Sequence, residues 1–80
     1  MNIKENKFFK MHVSSCERLH GKGYVGTIGT NRPMSVERFA TICNAVYEVL
    51  AENKVSFNDY ILIEDVIHRT IRTECEDKSI

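Results

Sequence analysis

Proline occurs once, at Pro33, and the four glycines all fall between residues 21 and 29. Nothing in the chain therefore reads as a linker, a low-complexity tract or an internal repeat, and a single domain spanning residues 1–80 is expected. Long apolar runs are also missing. None approaches the roughly 20 residues of a membrane span, so no membrane association is expected. The short patch from Phe8 to Val13 is interrupted by Lys10 and has no small-residue cleavage site, unlike a signal peptide. Cysteines number three, at positions 16, 43 and 75. That odd, widely spaced set is not a disulfide framework and fits free thiols in a reducing, cytoplasmic compartment.

Net charge is absent as well, with 11 basic and 11 acidic side chains. The balance is uneven along the chain. Residues 1–34 carry Lys4, Lys7, Lys10, Arg18, Lys22 and Arg32 against only Glu5 and Glu17, whereas residues 35–80 are acidic in excess. A basic N-terminal layer packed on an acidic C-terminal half explains this most simply. A bipolar surface that steers a charged partner is the sharper alternative.

What the sequence does have is one helix start written twice. Met34-Ser35-Val36-Glu37-Arg38-Phe39 and Val55-Ser56-Phe57-Asn58-Asp59-Tyr60 each set a serine N-cap behind an apolar residue and ahead of an aromatic at N4. This pattern combines a side-chain cap with a hydrophobic staple. The first helix is expected over 36–52, with Val36, Phe39, Ala40, Cys43, Val46, Tyr47 and Leu50 forming a buried stripe. The second is expected over 57–75, with Tyr60, Ile63, Val66, Ile67 and Ile71 buried. The i, i+4 pairs Asp65–Arg69 and Arg72–Glu76 lie on its polar side. A short connection at Asn53-Lys54 suits an antiparallel helical hairpin.

The first half is less regular. Tyr24 to Ile28 has the β-branched character of a strand and needs a partner for its backbone groups. Lys7 to Val13 is the expected partner, joined to it through a helical turn with a Ser14/Glu17 capping box and Gly21 at its end. In the competing arrangement residues 4–20 form one helix, with Phe9, Val13, Cys16 and His20 on one face. The fold class expected is α+β, a small β-hairpin or short sheet followed by the two-helix hairpin, with an all-α three-helix domain as the alternative.

Chemistry-bearing constellations are weak. Gly21-Lys22-Gly23-Tyr24-Val25-Gly26 matches the dinucleotide-binding spacing, yet no helix opens at it, and 80 residues cannot hold the doubly wound sheet. A looser anion site at Lys22, Gly23 and Arg32 is the remaining candidate. His12, Cys16 and His20 invite a metal reading, but on a helix the outer two stand about 12 Å apart, too far to share one ion. Lys7-Phe8-Phe9-Lys10 resembles a single-strand-binding platform, without the strongly basic surface that usually accompanies one. Cys16 with His20, or Glu64 with His68, lacks the third group that orients a catalytic base. Neither an enzymatic activity nor a cofactor nor a metal is expected.

Surplus aliphatics are the better lead. Ile42 and Val49 lie outside the first helix's stripe, and Ile61 falls among charged residues and His68 on the polar side of the second. Exposed apolar groups rimmed by charge mark interfaces. The sequence thus points to a small non-catalytic regulatory or inhibitory protein, of the kind phages and bacteria encode as modulators. It would act by binding another protein through Ile42, Val49, Ile61 and His68 and would self-associate as a homo-oligomer. The alternative is an anion or nucleic-acid binding module using the glycine-rich loop and the N-terminal basic residues.

Overall fold

In the computed structural model, residues 2–27 and 32–75 are described, Cys75 by its backbone alone. A 3₁₀ turn at Ile3–Glu5 precedes helix α1 (Lys7–His20), strands β1 (Tyr24–Val25) and β2 (Met34–Ser35), and helices α2 (Val36–Glu52) and α3 (Phe57–Cys75). The chain forms two compact units, Met1–Val49 and Leu50–Ile80. The fold is a small α+β arrangement of helices with a two-stranded antiparallel sheet.

One segment departs from expectation. Lys7 to Val13 is helical, so the competing helical arrangement holds from Lys7 to His20, while residues 4–6, expected in the same helix, lie in a separate 3₁₀ turn and at the N-cap. The strand partner of Tyr24-Val25 is instead Met34-Ser35, in the register Tyr24 to Ser35 and Val25 to Met34. Ile28, expected in the strand, lies outside the described residues. The start of α1 explains the difference. Asn6 is its N-cap, and its side-chain carbonyl accepts the Phe9 N–H at 3.1 Å. Ser14 and Glu17 are therefore mid-helix residues and make no capping box. Gly21 does end α1, at φ +97°, a backbone region that side-chain-bearing residues rarely adopt. Its N–H donates to the Glu17 carbonyl at 2.9 Å.

In the first unit, Phe9, Cys16, Val25 and Ala40 are buried. Phe9 stacks on Phe39 with ring centroids 5.4 Å apart, and His12 tilts against the same ring at 6.1 Å. The N-terminus is tied down by the Asn44 side chain, whose oxygen accepts the Ile3 N–H at 2.8 Å. Lys4 pairs with Glu37 across 33 residues of sequence, a contact between the basic N-terminal segment and the acidic half. Being largely exposed, such a pair adds little stability but helps to set position.

Both serine caps form. Ser35 Oγ accepts the Arg38 N–H and Ser56 Oγ the Asp59 N–H, each at 3.2 Å. The staple residues Met34 and Phe39, and likewise Val55 and Tyr60, are half-buried. The C-terminus of α2 closes in a Schellman motif. Val55 N–H donates to the Leu50 carbonyl and Lys54 N–H to the Ala51 carbonyl, both at 3.1 Å, with Lys54 at φ +53°.

The stripe expected to be buried along α3 is not. Tyr60 is half-buried, whereas Ile63, Val66, Ile67 and Ile71 are 38–53% exposed. Val46 and Tyr47 of α2 are exposed as well. Amphipathic periodicity establishes that a helix has an apolar face, but says nothing about what covers it.

Candidate protein-binding surface

The interface candidates are all solvent-facing. Ile42 and Val49 on α2 are 43% and 57% exposed, and Ile61 on α3 is 49% exposed. His68, also exposed, shares a face of α3 with Ile61, Glu64 and Asp65. This follows from helical geometry, since residues 61, 64, 65 and 68 are neighbours at spacings of three and four. Asp65 is held by Arg69, whose Nε donates to Oδ1 at 2.9 Å, as the i, i+4 spacing predicts. The partner of Arg72 in the other expected pair, Glu76, lies outside the described residues.

Leu62 at 65% and Phe57 at 74% exposure add to the apolar surface of α3, and sequence reasoning named neither as a candidate. Their signal was present: Leu62 sits about 100° from the Ile63 axis, off the main stripe. With Ile63, Val66, Ile67 and Ile71 also open, α3 has apolar side chains around most of its circumference and no buried residue among its described side chains.

The anion candidates are placed differently. Lys22 and Arg32 are exposed, and Gly23 sits at φ +88° with open space where a Cβ would lie. Its N–H already donates to the Glu17 carboxylate at 2.6 Å. Its carbonyl accepts the Val36 N–H, and the Gly21 carbonyl accepts the Tyr24 N–H. The backbone donor expected to receive an anion thus holds a carboxylate from the chain itself. A strand lies inside the glycine motif and a helix precedes it, the reverse of the dinucleotide-binding order.

Of the Lys7-Phe8-Phe9-Lys10 cluster, Phe9 is buried against Phe39 and only Phe8 is open. An aromatic stacking platform needs its rings accessible, and here one of the two is core. Cys16 meets His12 and not His20. Its Sγ lies 3.6 Å from His12 Nε2, and the thiol donates to the Gly26 carbonyl at 3.5 Å. The thiol is buried. His20 is half-buried, and its Nε2 is closed off from solvent without a hydrogen-bond partner. No group of three or more metal-ligating side chains occurs among the described residues. Cys43 is a half-buried free thiol whose pKa is raised above its ordinary value by burial. Among the described residues no helix is long and apolar enough to cross a membrane.

No protein-family model, no curated protein and no solved structure matches this chain.

Proposed function

We propose that this is a non-catalytic regulatory or inhibitory protein that works by binding another protein, in the cytoplasm, in the manner of small bacterial or phage modulators. One observation carries the proposal. Helix α3 has Ile61, Leu62, Ile63, Val66, Ile67 and Ile71 open to solvent, among Glu64, Asp65, His68, Arg69 and Arg72. Apolar surface of that extent is unfavourable in water, and a rim of charge around it is the usual composition of a binding face. The target-facing patch is assigned to Ile61 and His68 on α3, and Ile42 and Val49 on α2 are a separate candidate surface of the first unit.

The test is Ile61→Asp. This side chain is half in water already, so the substitution should leave the circular dichroism spectrum and melting temperature close to wild type. Used as bait in a host-cell extract, it should fail to retain the protein that the wild-type chain captures. Retention of the same protein by a folded Ile61→Asp variant would remove Ile61 from the interface. Salt provides the second discriminator. Binding that weakens steeply between about 50 and 200 mM salt would point to phosphate contacts and to a nucleic-acid ligand.

A further inference from the structure

We infer that the Ile63, Val66, Ile67 and Ile71 stripe of α3 is covered by the same stripe of a second copy, the two helices running antiparallel about a two-fold axis at Ile67. The inference rests on the protein-binding reading above and specifies the self-associating half of it.

The spacing is the first support. Ile63 and Ile71 stand four residues before and after Ile67, and Tyr60 and Glu74 stand seven before and after. A two-fold axis at Ile67 therefore sets Ile63 of each copy against Ile71 of the other, with Ile67 meeting itself. The outermost layer brings the Tyr60 hydroxyl, a hydrogen-bond donor, to the Glu74 carboxylate of the other copy. In an isologous interface each contact occurs twice, so one self-complementary stripe supplies the whole surface. These aliphatics are 38–53% exposed, and α3 is 19 residues long, about 28 Å at 1.5 Å per residue.

Charge supplies the orientation. The first half of α3 holds Asp59, Glu64 and Asp65, and the second half holds His68, Arg69 and Arg72, with Glu74 in the last turn. Antiparallel pairing lays each acidic half along the other copy's basic half and brings Glu64 beside His68 on the flank of the stripe. It also opposes the two helix dipoles. Parallel pairing would align acidic with acidic and basic with basic, which is repulsive. Ile61 lies about 120° around the helix from Ile67, where the two-fold axis is set. Ile61 thus stays off the seam of such a pair and is separable from the self-pairing stripe, whereas His68 borders its flank.

The experiment is sedimentation equilibrium of the full chain. The wild type is expected at twice its 9.2 kDa chain mass at about 100 µM, a concentration that populates interfaces of micromolar strength. Ile67→Asp puts two carboxylates on the two-fold axis and should raise the dimer dissociation constant by about 100-fold or more. Its circular dichroism reports whether the fold persists. Orientation is read from a second pair, Ile63→Lys and Ile71→Glu. Each alone should sediment as a monomer, and an equimolar mixture should regain the dimer mass, because residue 63 faces residue 71 only when the helices run antiparallel. This complementation remains decisive even if Ile67→Asp fails to fold.

A monomeric wild type at that concentration would overturn the inference. So would a dimer that survives Ile67→Asp, or a mixture that stays monomeric. None of these results bears on target capture by Ile61, which is scored separately by the bait comparison. Conversely, Ile61→Asp should lose the target while sedimenting as a dimer.

Discussion

Lys54 holds the left-handed position at the end of α2, with φ +53°, and it is the one non-glycine residue among those described with positive φ. Lys54→Gly is a stringent test of the Schellman closure. A residue with a Cβ gives up about 1–2 kcal/mol in this conformation, which glycine recovers. Glycine in turn adds about 0.4–1 kcal/mol of chain entropy to the unfolded state. Removing a lysine just past a helix C-terminus forfeits roughly 0.3 kcal/mol of favourable interaction with the helix dipole. The balance is a gain of about 0.5 kcal/mol, or roughly 2–4 °C in melting temperature at this chain length. Thermal melts followed by far-ultraviolet circular dichroism, with Lys54→Asn as a left-handed-tolerant control and Lys54→Ile as a β-branched one, should rank Gly and Asn above Lys and Ile below it. An Ile variant as stable as wild type, or a Gly variant less stable than it, would show that the α2 terminus is not closed by a left-handed residue.

Three further outcomes are expected. Ser35→Ala and Ser56→Ala should each lower stability by roughly 1 kcal/mol through the lost N–H acceptor, and unaltered melts for both would contradict the caps. Phe9→Ala removes a buried ring stacked on Phe39 and should cost about 3 kcal/mol, measured by urea titration; a loss under about 1 kcal/mol would place Phe9 outside the core. Burial raises the Cys43 pKa above its ordinary 9.0, so the folded chain keeps this proton to higher pH than the unfolded chain. The associated stability is fully present below pH 9.0 and is lost as pH rises through the raised folded-state value. Urea titrations between about pH 8 and 10 should show an alkaline decline in wild type that is smaller in Cys43→Ala, and equal declines would remove the thiol as its cause.

The capped helices were legible because their determinants are local. A serine oxygen reaches an N–H three residues on, and its neighbours at N′ and N4 are fixed by the same turn, so the starts of α2 and α3 could be read from six-residue stretches. The N-terminal region was not legible in that way. Phe9 and Val13 satisfy both a strand with alternate residues inward and a helix with a four-residue repeat, and the deciding contact is Asn6 capping Phe9. Once α1 was helical, Tyr24-Val25 had to take its ladder bonds from Met34-Ser35, which the sequence presented only as the lead-in to a helix. Likewise the glycine motif disclosed a turn but not the Glu17 carboxylate that binds its backbone.

Sequence alone determined where α2 starts and stops, where α3 starts, and that the chain has more aliphatic side chains than its polar pattern requires. Only the tertiary structure decided that Phe9 and Cys16 are core, that the sheet joins residues 24–25 to 34–35, and that the α3 stripe is left open to solvent. The division follows the range of the forces involved. Caps, turns and i, i+4 pairs act over one helical turn, whereas burial depends on what distant segments place over an apolar face.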